Sequence, residues 1–187
     1  MEKQSSKLKE NYLHEDQCKE VYEWIHTNKY LKDDGEGKRV FCNTYKKDEL
    51  PNFLKYNIKG IFNVYHFIGM YSVKRGYIAP HVDDDLHETL LDEYPDLGIP
   101  QKQPWLPPET EVYYVDVCPE MQGGEIVMDG ISYTPKRNSS ITIPMGKLHS
   151  VNSITHQIRF RTALVCEKYF LSKKYLDLLQ TPLYKAG

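Results

Sequence analysis

The chain has 187 residues, 40% of them hydrophobic, and a formal net charge of −2. That length favours one domain with a sizeable core. The near-balanced charge, with no basic stripe, argues against nucleic acid as a partner, and no apolar run is long enough to make a membrane one.

Read in chain order, the opening residues Met1 to Lys7 contain no apolar core, so they do not read as a secretory signal. Cys18, Cys42, Cys118 and Cys166 are scattered, with no pair at zinc-ligand spacing, and are expected to be reduced thiols of a cytoplasmic protein. Between about Glu15 and Tyr30, the residues Cys18, Val21, Tyr22, Trp24 and Ile25 recur at helical spacing, which predicts an amphipathic helix with an aromatic stripe turned to the core. A shorter helix is expected near Asp48 to Lys59, opened by Asp48 and Glu49 around Pro51. Together these form a helical support over about 12–60. From Ile61 to Phe170 nearly everything reads as strand and turn, for example Phe67 to Val73, Glu111 to Val117, Glu125 to Met128, Ser139 to Pro144 and Ile158 to Cys166. Gly123-Gly124, Asp129-Gly130 and Met145-Gly146 mark the turns, and 15 tyrosines suit half-buried strands. The class is mainly β (α+β), with a sandwich or jelly-roll core over about 61–170. A last helix closes the chain over about 172–180.

One segment departs from this pattern. Asp84 to Thr110 holds Tyr94, Pro95, Gly98, Pro100, Pro104, Trp105, Pro107 and Pro108 with little periodicity. Long proline-studded connections are usually functional or disordered, and this one is expected to be a lid over the site that precedes it.

That site begins at His81-Val82-Asp83. Side chains two apart on a strand point the same way, so His81 and Asp83 can share one metal ion. Two imidazoles and one carboxylate on one face of an octahedral iron leave the opposite face open for a co-substrate and dioxygen, so a second, distant histidine is required. His87 lies close in sequence to that pair, while His149, after the apolar strand Ile141-Thr142-Ile143-Pro144, and His156 lie much further on.

The chain resembles the Fe(II)- and 2-oxoglutarate-dependent oxygenases, in particular their prolyl 4-hydroxylase-like branch. The resemblance spans roughly Phe67 to Phe170. It rests on the order and spacing of Gly76-Tyr77-Ile78-Ala79-Pro80-His81-Val82-Asp83, Tyr113-Tyr114-Val115-Asp116, Gly123-Gly124-Glu125-Ile126, Leu148-His149-Ser150-Val151 and Arg159-Phe160. It implies a double-stranded β-helix, or jelly roll, on N-terminal supporting helices, with His81, Asp83 and His149 as Fe(II) ligands. Arg159, ten residues beyond His149, matches the basic residue that holds the far carboxylate of 2-oxoglutarate; a guanidinium suits that task because it forms two charge-assisted hydrogen bonds at once. Arg161 is its rival, two residues further along a strand. Tyr114 matches a tyrosine on the same carboxylate, and Tyr71 one facing 2-oxoglutarate. Tyr77 is a weaker match, because Pro80 adds a residue to the usual pattern.

The activity so implied consumes 2-oxoglutarate and O2, releases succinate and carbon dioxide, and hydroxylates an unactivated C–H bond. With Asp83 present, hydroxylation is expected rather than halogenation. The branch suggests a prolyl residue in a peptide or protein, with a free amino acid or small metabolite as the alternative. Two other classes share the core: a non-oxidative metal-binding cupin, needing neither Arg159 nor Tyr114, and a binding module, in which His81, Asp83 and His149 would not converge.

Overall fold

The computed structural model describes residues 8–35, 37–58, 60–72, 76–99 and 105–186. In chain order they form β1 (Lys9–Glu10), α1 (Glu15–His26), β2 (Lys32–Asp33), β3 (Lys38–Lys46), β4 (Val64–Ser72), β5 (Ile78–His81), α2 (Asp85–Glu93), β6 (Glu109–Asp116), β7 (Ile126–Met128), β8 (Ile131–Tyr133), β9 (Ser139–Pro144), β10 (His149–Val151), β11 (Arg161–Tyr169), α3 (Lys173–Leu178) and β12 (Leu183–Ala186). The strands make two antiparallel sheets, as the jelly-roll expectation requires. The larger runs β1-β9-β6-β11-β4-β3-β12, with β2 also paired to β3, and the smaller runs β5-β10-β7-β8.

β11 is the spine of the larger sheet, paired with β4 on one side and β6 on the other. Its side chains alternate between two cores. Leu164 and Cys166 face α1, whose Cys18, Val21 and Ile25 pack against them and against Phe41 and Phe67. Ala163 and Val165 face the space between the sheets, where Val112, Tyr114, Ile126, Met128 and Ile141 gather. α1 forms because Cys18, Val21 and Ile25 recur on one face, with Glu15 and Asp16 in its first turn, where carboxylates suit the helix dipole. Burying a Val or Ile side chain fully is worth roughly 1.5–3 kcal/mol, so Val21 and Ile25, both wholly buried, anchor it.

The expected helical support over 12–60 is only partly helical. Residues 38–46 form the nine-residue strand β3, paired with β4 along its whole length. The alternation of Arg39, Phe41, Asn43 and Tyr45 with Lys38, Val40, Cys42 and Thr44 has period two, which is a strand pattern. The expected helix near Asp48–Lys59 is instead two short 3-10 segments, Lys47–Glu49 and Asn52–Asn57, separated at Pro51, which has no N–H to donate.

The expected lid is a packed element over its described residues. α2 buries Leu86 and Leu90 with Ile99 against Val64, Tyr169, Leu171 and Leu179. Trp105 lies edge-on to Tyr175, with ring centroids 4.6 Å apart, and packs against this third core rather than the cavity described below. Residues 100–104, part of the same expectation, lie outside the described residues. No described helix is long and apolar enough to cross a membrane.

Candidate active site

His81 ends β5 and His149 begins β10, and the two are direct register partners in the smaller sheet. Their rings stand 4.2 Å apart, centroid to centroid. Each Nδ1 lies against a backbone carbonyl, His81 against Ala79 O at 2.9 Å and His149 against Lys147 O at 3.0 Å. A carbonyl only accepts, so Nδ1 carries the proton and the Nε2 lone pair of each ring is left to coordinate. Both Nε2 atoms point at Asp83 Oδ1, from 3.6 Å for His81 and 3.5 Å for His149. One donor atom from each of the three residues lies within 4.8 Å of the others. Asp83 itself is not on the strand; it sits in the connection from β5 to α2.

The electrostatics of the two rings differ. The Asp83 carboxylate beside it raises the His81 pKa against the opposing effect of burial. Burial lowers that of His149 and outweighs the pull of Asp83.

The three side chains open into a cavity of about 270 Å³ between the sheets, which Tyr114 and Arg161 also line. Arg161 is the first residue of β11 and only 3% exposed. It donates from Nη1 to Gly124 O at 2.9 Å and from Nη2 to Ser72 Oγ at 3.3 Å. Its Nε has no partner among the described residues, and burial holds its pKa below the ordinary arginine value. The Gly123-Gly124 turn makes this approach possible: Gly124 has a φ of +76°, and a Cβ there would stand 3.0 Å from Arg161 Nη1. Tyr114 pairs with Ala163 on the same face of the sheet. Its hydroxyl is buried without a partner among the described residues, and burial pushes its pKa up to about 12 although Arg161 pulls it down. A guanidinium and a hydroxyl buried on one wall of the cavity and left short of partners are costly unless an anion completes them.

Arg159 is not in this group. It lies in the bend before β11, exposed, with Nη2 3.2 Å from Asp116 Oδ1. The two-residue alternation that would align it with Arg161 holds only within a strand, and the strand starts at Arg161. Tyr71 is also elsewhere. Its neighbours Met70 and Ser72 face inward, so its own ring faces α1, stacking on His26 at 4.9 Å, and its hydroxyl accepts from Arg39 Nη1 at 2.5 Å. Tyr77 is largely exposed.

Sequence reasoning missed two neighbours of the site, Ser72 and Lys38. Both pair across the sheet on the rung of Arg161, and Lys38 lines the cavity while its Nζ lies 3.3 Å from Asp34. Their signal was the two-residue alternation of β3 and the end of β4. A second carboxylate group, Asp83, Asp85 and Glu167, also lies within 4.8 Å of itself; burial and the adjacent Asp85 push the Glu167 carboxyl well above the usual range.

No family model matches the chain, and no curated protein matches it in sequence. Solved structures do. A prolyl-4-hydroxylase from Pseudomonas putida is similar with a TM-score of 0.58 at 11% identity, over 89% of this chain and 93% of that one. An oxidoreductase of the 2OG-Fe(II) oxygenase family from Burkholderia pseudomallei gives 0.55 at 13% identity, over 86% and 82%. The viral collagen prolyl hydroxylase of Paramecium bursaria Chlorella virus-1, solved with 2OG, gives 0.56 at 13% identity, over 89% and 96%. The chain therefore has a fold similar to that of the 2OG-Fe(II) oxygenases. Two of these three structures are prolyl hydroxylases.

Proposed function

We propose that this chain is an Fe(II)- and 2-oxoglutarate-dependent oxygenase that hydroxylates a prolyl residue of a peptide or protein. The observation that carries the reading is one cavity holding both a His-Asp-His donor set and a buried arginine with no carboxylate within ion-pair distance among the described residues. The donors fit iron: two imidazoles presenting Nε2 and one carboxylate leave open positions for a chelating co-substrate. His81, Asp83 and His149 hold the metal. Arg161, in place of Arg159, binds the far carboxylate of 2-oxoglutarate, and the Tyr114 hydroxyl donates to the same group. Iron bound there supplies the coupling of oxidative decarboxylation by dioxygen to C–H hydroxylation. The chain's own contribution is placement and dryness. Val112, Ile68 and Val165 line the cavity and exclude water, which strengthens the Arg161–carboxylate attraction.

The prolyl substrate is supported by the two similar structures described as prolyl hydroxylases. The four free cysteines fit a reducing compartment such as the cytoplasm. The test is succinate formation from 2-oxoglutarate by purified protein with Fe(II), alone and with a panel of proline-containing peptides scored for gain of one oxygen. Failure of the metal-loaded protein to bind 2-oxoglutarate would overturn the reading; turnover with hydroxylation only of free amino acids would overturn its substrate half.

A further inference from the structure

His81 and His149 are held by the ladder between β5 and β10, but Asp83 lies outside any strand. Another contact must set its position. α2 begins two residues later, with Asp84 at its N-cap. An aspartate there commonly accepts from a first-turn N–H, yet Asp84 makes no such bond. The Leu86 N–H donates instead to Glu167 Oε2, at 3.3 Å. The Tyr169 hydroxyl donates to the same oxygen at 2.6 Å. Glu167 is fully buried and shares the inward face of β11 with Arg161, Ala163 and Val165, since alternate residues of a strand face one way. Its carboxyl group lies against those of Asp83 and Asp85, within 4.8 Å.

We propose that Glu167 is a positioning residue for the metal site: it ties the start of α2 to β11 and so sets where Asp83 presents its carboxylate. This rests on the reading of His81, Asp83 and His149 as metal ligands. β11 then carries the carboxylate anchor at its first residue and, six residues on, the brace of a metal ligand. The Tyr169 hydroxyl holds the brace in turn. A rigid strand thereby fixes a ligand that its own connection would leave loose.

Groups that orient metal ligands typically change metal affinity by about 10–100-fold when removed. The test is Co(II) binding, by titration and by the visible spectrum of the bound ion, to wild type, Glu167→Ala, Glu167→Gln and Tyr169→Phe. We expect Glu167→Ala to bind Co(II) at least about tenfold more weakly with an altered spectrum. Glu167→Gln, whose amide oxygen can still accept from Leu86, should stay close to wild type. A folded Glu167→Ala with wild-type affinity and spectrum would overturn the proposal. So would a Glu167→Gln as weak as Glu167→Ala, because charge rather than position would then be at work. If Glu167→Ala does not fold, Tyr169→Phe decides: a shifted Co(II) spectrum supports the brace, and an unchanged one overturns it. Wild-type protein that binds no Co(II) would remove the metal reading beneath it, a distinct outcome.

Discussion

Arg161 and Tyr114 share one face of the larger sheet, with Tyr114 paired to Ala163, two residues beyond Arg161. The Nε of the first and the hydroxyl of the second lie buried without a partner among the described residues. Two strands thus deliver a cation and a donor to one end of a cavity whose other wall presents the His-Asp-His set.

Removing Arg161 should uncouple co-substrate binding from metal binding. Losing one partner of a buried charge pair costs about 3–5 kcal/mol, so Arg161→Ala is expected to weaken 2-oxoglutarate binding to Mn(II)-loaded protein by roughly 100-fold or more. Mn(II) affinity should stay near wild type. Arg159→Ala should change neither, since Arg159 is exposed and pairs with Asp116, and neither lines the cavity. Calorimetric titration of each variant checks this.

The same residue should burden the fold when no ligand is bound. A buried cation without a carboxylate is unfavourable, so Arg161→Met is expected to leave the ligand-free protein at least as stable as wild type while destroying 2-oxoglutarate binding. Thermal melts with and without 2-oxoglutarate would separate the two effects. A large loss of stability in the ligand-free variant would show that the bonds to Gly124 and Ser72 dominate.

Tyr114→Phe removes one hydroxyl and little else. A hydrogen bond to a charged group contributes about 1.5–3 kcal/mol, so 2-oxoglutarate affinity should fall roughly tenfold or more, less than for Arg161→Ala. Equal affinity in the two proteins would place the carboxylate elsewhere.

Acid should strip the metal. His81 has a pKa raised above its ordinary value of 6.5, so it takes up a proton first as pH falls, from above that value. A protonated imidazole cannot coordinate. Metal affinity is therefore expected to decline on acidification by about tenfold per pH unit, as for competition with one proton. In the metal-free protein His81 contributes stability that is present below its unfolded value and lost as pH rises through the folded one. The lowered pKa of His149 works oppositely, contributing stability above 6.5 that is lost as pH falls through its folded value. Mn(II) titrations across pH check the first statement, and denaturation of His81→Ala and His149→Ala the second.

Trp105→Ala should act on stability rather than on selection of substrate. Trp105 packs on Tyr175 and His87 in the third core, and truncating a core Trp costs about 3–5 kcal/mol, with less expected for this half-buried one. Once folded, the variant should turn over 2-oxoglutarate as wild type does. A selective loss of substrate hydroxylation at unchanged stability would restore the lid.

What was legible in the sequence was whatever depended on local spacing. The amphipathic stripe of Cys18, Val21 and Ile25 and the strands around Tyr114 and Leu164 follow from periodicity, whereas Asp83, expected beside His81 on one strand, lies in the connection beyond β5. The errors came where local pattern was overridden. Arg159 and Arg161 differ only in where β11 begins, and that boundary is set by pairing with Ser72 and Asp116 across the sheet. Tyr71 has the right spacing from His81 but the wrong face of β4. β3 hid its alternation among charged ends and a helix-like context. α2 was masked by the prolines that follow it, although Leu86 and Leu90 stand at helical spacing. The partner of Leu86 is 81 residues away, beyond any local reading.

One cavity is expected to bind iron and 2-oxoglutarate together. Anaerobic titration of 2-oxoglutarate into Fe(II)-loaded protein, followed by visible absorption, tests it most directly. A chelated 2-oxoglutarate should produce a charge-transfer band that saturates at one equivalent, is absent in His149→Ala and requires far more 2-oxoglutarate in Arg161→Ala. Saturating 2-oxoglutarate that leaves the spectrum of a demonstrably Fe(II)-loaded protein unchanged would show that iron and 2-oxoglutarate do not share the cavity.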